Sequence, residues 1–287
     1  MREPQLRTVT CASVRGLHRM AYWVWRSQAG EHSPTVLCVH GLTRNGRDFD
    51  ALADRLSRTR HVICPDIIGR GRSDHAADPM LYVMPQYLAD CVTLIARLDV
   101  ERLTWIGTSM GGLLGMMLAA MPGHPVERLV LNDIGPVLTL DGRSRIAASI
   151  GDDPVFATRA AGVAELRERM RSFGPHTDEQ FELLARHYVV PRGGQWAFHY
   201  DPAIAVPFRA LAAQTVNLWP LYDAIDVPTL VLRGADSDLL DAATAAAMSR
   251  RGPRAREVVF PGVGHAPTLI DPAQIDAVES FLDEGNA

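Results

Sequence analysis

The sequence predicts an α/β fold: a mostly parallel eight-stranded sheet with helices on both faces, interrupted by one helical insertion. Three observations carry this. Apolar runs of strand length at residues 34–39, 103–107 and 228–234 have the near-continuous pattern of strands buried on both faces. Segments of helical spacing alternate with them, most clearly residues 84–98, where Leu88, Cys91, Val92, Leu94, Ile95 and Leu98 recur at helical intervals; alternation of this kind means parallel pairing with crossover helices. In LTWIGTSMGGLLG, residues 103–115, an apolar run breaks at Gly107-Thr108-Ser109-Met110-Gly111 and a small-residue helical pattern begins. That is a strand, a sharp turn and a helix, with Ser109 at the tip.

Taken in order, residues 5–26 alternate through QLRTVTCASV, turn at Gly16-Leu17 and alternate again, which suits an antiparallel hairpin at a sheet edge. PTVLCVHG, 34–41, is a buried strand ending at His40-Gly41, and GRDFDALADRLSR a helix. HVICPDIIG is the next strand and leads into a polar, Gly-rich loop from Asp66 to Asp74, whose aspartates precede Ser109 and read as turn-holding groups. After helix 84–98 and the Ser109 unit, VERLVLNDIGP is a strand ending at Asn132-Asp133. Residues 136–222 then break the rhythm with helical patterns (RIAASI, VAELRERMRSF, DEQFELLARHYVV), a polar PRGGQ turn and the aromatic stretch WAFHYDPAIAVPF. Inserted at the sheet end where Ser109 is exposed, this segment is expected to be a helical cap, with residues 1–135 and 223–287 forming the core domain. Strand 228–234, helix DAATAAAMSRR, strand REVVF and helix 272–283 restore the alternation.

With 287 residues, 47% of them apolar, the chain can bury one large core plus a modest insertion. Its net charge of −4 comes from interspersed acids and bases, so neither nucleic acid nor an anionic membrane surface is implied as a partner. All 29 cationic residues are arginine, which excludes lysine Schiff-base chemistry. Cys11, Cys38, Cys64 and Cys91 show no CxxC or Cys/His ligand spacing; they read as buried thiols, and no metal is expected. The N-terminus lacks an apolar h-region, and no apolar run approaches transmembrane length. A cytoplasmic monomer or homodimer acting on a small molecule is the expectation.

Serine is a weak nucleophile at neutral pH unless a base takes its proton and an acid orients that base. Glycines flanking the turn leave room for it, and a helix N-terminus beside Ser109 favours the negative charge that develops on an attacked carbonyl. Of the ten histidines, His265 alone follows a late strand in a Gly-rich loop, REVVFPGVGHAPTL, and is the expected base. The N–H groups of Leu42, directly after His40-Gly41, and of Met110 are the expected oxyanion donors. Arg44 is a candidate for meeting a substrate carboxylate, against the alternative of a plain surface arginine. Trp196 and Trp219, with Phe198 and Tyr200, are candidate substrate contacts from the cap.

His40-Gly41, Asp66 to Asp74, Gly107 to Gly111 and Gly262-Val-Gly-His265 stand in the order used by the α/β-hydrolase superfamily, which the chain resembles over nearly its whole length. The resemblance implies the α/β-hydrolase fold, Ser109 as nucleophile, His265 as base and Leu42 and Met110 as oxyanion hole. The acid is where the sequence departs. Most members carry it in a G-x-x-D-x-x-x-P pattern, whereas Gly234-Ala-Asp-Ser237-Asp238-Leu-Leu-Asp241 puts Ser237 in that slot. A one-residue insertion would bring in Asp238. Other members carry the acid at the end of the strand after the helix that follows the nucleophile turn, where Asp133 stands, and a carboxylate at a buried strand end is costly unless paired. Asp133 is favoured, with Asp238 the alternative.

The resulting expectation is a carboxylesterase-like serine hydrolase that cleaves an ester through an acyl-enzyme without cofactor or metal. Cleavage of an amide, lactone or carbon–carbon bond is the alternative within the fold. A non-catalytic small-ligand binder is the alternative outside enzymology; its usual mark, loss of the serine, the histidine or their glycines, is absent from the sequence.

Overall fold

The computed structural model describes residues 1–211 and 216–284; the expected insertion thus includes four residues, 212–215, outside the described ones. The core runs β1 (Gln5–Ser13), β2 (Gly16–Trp25), β3 (Thr35–Val39), α1 (Asp50–Leu56), β4 (His61–Asp66), α2 (Met84–Leu98), β5 (Leu103–Thr108), α3 (Met110–Ala119) and β6 (Val126–Asn132). Between β6 and the next core strand lie β7 (Val137–Leu138), α4 (Leu140–Ser149), β8 (Val155–Phe156), α5 (Arg159–Arg169), α6 (Asp178–Arg186), β9 (Val189–Arg192), β10 (Gln195–Phe198), α7 (Ala205–Leu211), β11 (Val216–Asn217) and α8 (Trp219–Asp223). The core resumes with β12 (Thr229–Gly234), α9 (Ala242–Met248), β13 (Arg256–Phe260) and α10 (Pro272–Asp283).

Eight strands form one sheet in the order β1-β2-β4-β3-β5-β6-β12-β13. The β1–β2 hairpin and the β2–β4 pair are antiparallel, and every other pair is parallel. All five residues of β3 are buried, and their alternation feeds two apolar layers: Val36 and Cys38 pack with α1 and α10, Leu37 and Val39 with α2 and α3. Period-2 geometry thus makes one central strand serve both faces. In α2, Leu88, Cys91, Leu94 and Ile95 are buried on one face, as their spacing requires. The four cysteines are buried free thiols. Among the described residues no helix is long and apolar enough to cross a membrane.

The segment between β6 and β12 differs in part from the expected all-helical pattern. It adds a three-stranded sheet, β8-β10-β9, and a two-stranded one, β11-β7. The run HYVV, expected to continue a helix, leaves α6 and enters β9, and the PRGGQ turn closes the β9–β10 hairpin with Gly193 and Gly194 at φ 58° and 82°. Paired β-branched residues before a glycine turn fit a pleated strand better than a helix. The segment is bonded to the core loop after β3: Arg44 Nη2 donates to Leu184 O at 3.1 Å and Asn45 Nδ2 to His187 O at 3.1 Å.

Candidate active site

The strand-to-helix turn at Ser109 is tight because two glycines permit it. A Cβ on Gly107 would lie 2.2 Å from Gly111 O, and one on Gly111 would lie 1.9 Å from Val39 O, so no other residue fits without backbone movement. Ser109 itself takes φ 52°, ψ −111°, a conformation that costs a non-glycine residue about 1–3 kcal/mol. Hydrogen bonds hold it there: Ser109 N–H donates to Asn132 O at 3.0 Å, and Ser109 O accepts from Gly112 N and Leu113 N. The side chain is thereby lifted off the carboxyl end of β5.

His265 comes from the loop after β13 and stands between two groups. Its Nε2 is 2.9 Å from Ser109 Oγ and its Nδ1 is 2.7 Å from Asp133 Oδ2. Asp133, just past β6, is fully buried, and its charge is matched by donors: Gly234 N–H at 2.8 Å on Oδ1, and Ser237 Oγ–H at 2.6 Å beside His265 on Oδ2. Buried carboxylates persist only when bonded in this way. Ser237, which fills the slot where most members of the superfamily carry the acid, binds the carboxylate that comes from the other strand. Asp238 points elsewhere, to an ion pair with Arg145 at the surface. Burial raises the Asp238 pKa, but the hydrogen bond and charge of Arg145 outweigh that and hold the carboxyl below its ordinary range.

Leu42 and Met110 border the same cavity as Ser109. Met110 is the first residue of α3, where a helix N–H has no intrahelical acceptor, and no hydrogen bond within the described residues uses the N–H of either. Beneath them lies a group that sequence reading passed over. Arg70 is fully buried, donates to Leu42 O at 2.8 Å and to Ile68 O at 2.7 Å, and sits 3.7 Å from Met110 Sδ with its guanidinium over Tyr87. It ties the residue after His40-Gly41 to the elbow. Its only mark in the sequence is an arginine between two glycines, Gly69 and Gly71.

Two cavities meet at Ser109. One, of about 460 Å³, is apolar, walled by Leu113, Met117 and Ile134 of the core and by Ile204, Phe208 and Leu218 of the inserted segment. The other, of about 210 Å³, is mixed: Arg44, Arg145, Arg169 and His265 border it together with apolar residues such as Ile146, Ile150, Leu166 and Phe173. Arg44 is therefore no surface arginine: its side chain is 11% exposed, doubly bonded to Asp48 and stacked on Tyr188, so its charge is already matched. Trp196 lies in β10 on a different cavity, and Trp219 packs on Tyr222 and Arg251; neither borders a cavity that contains Ser109. Phe198 stacks on Tyr188 in the inserted segment's own core, and of the four cap aromatics only Tyr200 reaches the site. Aromatic residues in a small layer bury themselves first, and sequence does not say which are left over.

Chemically, the arrangement allows a hydroxyl proton to pass to an imidazole held by a buried carboxylate, beside two free N–H groups. Comparison with known proteins agrees with the geometry. The chain is 50% identical over 289 residues to a 3-hydroxybutyrate-oligomer hydrolase of Cupriavidus necator, spanning 97% of this chain and 98% of that one. It is 28% identical to the 2-(acetamidomethylene)succinate hydrolase of Mesorhizobium japonicum, over 87% of this chain and 88% of the other. The crystal structure of an α/β hydrolase from Novosphingobium aromaticivorans superposes with a TM-score of 0.89 at 41% identity, covering 99% of both chains. A model of the α/β hydrolase fold family matches residues 34–272, and the chain belongs to that family of hydrolases.

Proposed function

We propose that the protein is a serine hydrolase that cleaves the ester bonds of short hydroxyalkanoate oligomers, 3-hydroxybutyrate oligomers in particular. The observation that carries the chemistry is the position of His265, within hydrogen-bond reach of both Ser109 Oγ and buried Asp133. Ser109 Oγ attacks the ester carbonyl as its proton passes to His265 Nε2, and Asp133 holds the imidazole tautomer and stabilises the imidazolium. The N–H groups of Leu42 and Met110 bind the oxyanion. The leaving alkoxide takes the proton from His265; water then gives a proton to the same nitrogen and hydrolyses the acyl-enzyme. Acid and alcohol leave, and Ser109 is restored. The substrate class is supported by the 50% identical Cupriavidus relative. The segment 136–222 serves as the cap that completes the acyl cavity. Amide cleavage is a second reading, favoured by the 28% identical Mesorhizobium relative alone.

The test is covalent labelling by a fluorophosphonate together with turnover of p-nitrophenyl butyrate and of a 3-hydroxybutyrate trimer. Ser109→Ala is expected to abolish labelling and lower kcat by about 10⁴-fold or more. Labelling retained in Ser109→Ala would sink the assignment, and an unlabelled wild type would point to a binding protein.

A further inference from the structure

The two cavities that meet at Ser109 are not equivalent, and the difference sets the direction in which an ester lies. This argument rests on the roles proposed above for Ser109 and His265. The histidine must hand its proton to the leaving oxygen, so the alcohol half of the ester lies on the side of His265. His265 borders the smaller 210 Å³ cavity and not the larger one, whereas Met110 borders the apolar 460 Å³ cavity and not the smaller one; Ser109 and Leu42 border both. We infer that the acyl half of the substrate fills the larger, apolar cavity while the alcohol half, carrying a carboxylate, fills the smaller, arginine-bearing one, with Arg145 as the carboxylate's partner. An oligomer of a hydroxy acid bound this way presents its carboxyl-terminal ester bond, and the enzyme removes units from the carboxyl end.

Charge and size both support this. The smaller cavity is bordered by Arg44, Arg145, Arg169 and His265 and, among the described residues, by no carboxylate. Arg44 is committed to Asp48, and Arg169 spends Nε, Nη1 and Nη2 on Glu165, Ser149 O and Asp152. Arg145 uses Nε and Nη2 on Asp238, which leaves Nη1 to donate. Both members of that pair are 45% exposed, and pairs so exposed contribute only about 0–1 kcal/mol, so a second carboxylate can share the guanidinium at small cost. In the apolar cavity the single cation among the described residues, Arg143, is buried and already partnered. At about 30 Å³ per water-sized group, 210 Å³ holds roughly seven non-hydrogen atoms, the size of one four-carbon hydroxy acid. The larger cavity takes the methyl-branched remainder. In this orientation the oligomer acyl group passes to Ser109 Oγ, and the Ser109 proton travels through His265 Nε2 to the hydroxyl oxygen of the departing acid. Water then releases the shortened oligomer.

The experiment uses a linear 3-hydroxybutyrate trimer deuterated in its hydroxyl-terminal unit, with its methyl ester as the neutral counterpart. Unlabelled monomer and labelled dimer are expected as first products. Labelled monomer appearing first, or both monomers in equal amounts, overturns the orientation. The ratio of kcat/KM for the free acid to that for the methyl ester is expected to fall about tenfold or more in Arg145→Ala, to persist in Arg145→Lys, and to invert in Arg145→Glu. Being a ratio within one variant, it is insensitive to folding losses, and an unchanged ratio overturns the role of Arg145. Wild-type hydrolysis of p-nitrophenyl butyrate reports on the underlying reading separately. Its absence defeats the serine-hydrolase assignment, whereas its presence without trimer cleavage defeats the orientation and the substrate class.

Discussion

At the scale of single residues, Asp133, the proposed acid, is where the chain departs from the commoner arrangement of its superfamily, and the hydrogen bonds around it explain how. With serine at position 237, the usual slot contributes a donor instead of a charge: Ser237 Oγ bonds Asp133 Oδ2, which also meets His265 Nδ1. A second carboxylate there would face Asp133 in a buried space and force one of the two to take up a proton. Asp133→Asn is expected to lower kcat by about 10³–10⁴-fold with little change in KM, because the interaction counts most when the ring is charged. Asp238→Asn is expected to stay within about threefold on neutral esters. Steady-state kinetics of both variants on p-nitrophenyl butyrate decide it, and a severe loss confined to Asp238→Asn reverses the assignment. The serine and the histidine were legible because each sits in a local pattern of glycines and strand ends. Arg70 and Arg145 were not, since a long flexible side chain gains its role from neighbours distant in sequence.

At the scale of elements, the site hangs from the carboxyl ends of β3, β5, β6 and β13, and the loops there are fixed by buried polar groups. His40, at the end of β3, is fully buried; its Nδ1 bonds Gly41 O at 2.7 Å, and its Nε2 accepts Ile67 N–H at 3.0 Å. Burial pushes its pKa down from 6.5 to about 3. A histidine kept neutral in the fold favours the unfolded chain as pH drops, since only the unfolded imidazole gains a proton. Its contribution is present above pH 6.5 and is lost at about 1.4 kcal/mol per pH unit toward pH 3. His40→Gln is expected to flatten that slope relative to wild type in urea unfolding at pH 7, 6 and 5, and parallel slopes would show that His40 is not responsible. The sequence placed His40 at the end of a buried strand. Its partner, Ile67 on the loop after β4, became visible only once β3 and β4 were paired.

At the scale of the whole molecule, the apolar cavity at Ser109 belongs to neither the core nor the inserted segment alone. Met117 on α3 lines it together with Phe208 and Leu218 of the inserted segment. Met117→Trp is expected to lower kcat/KM for p-nitrophenyl octanoate about tenfold relative to the acetate, since added bulk shortens the cavity without touching Ser109. Equal effects on both chain lengths would remove this cavity from acyl binding. By itself the sequence determined the sheet, its flanking helices, the Ser109 turn and His265. Those features are written in local terms: period-2 and helical spacing, apolar runs of strand length, and glycines where a Cβ would strike backbone. The tertiary structure alone decided the partner of His265, the burial of Arg44, the strands within the inserted segment and the two unlike cavities. The partner of His265 and the burial of Arg44 depend on side chains brought together across more than a hundred residues, as with Asp133 and His265, and the inserted strands β7 and β11 pair across 78. Spacing along the chain carries no record of that meeting.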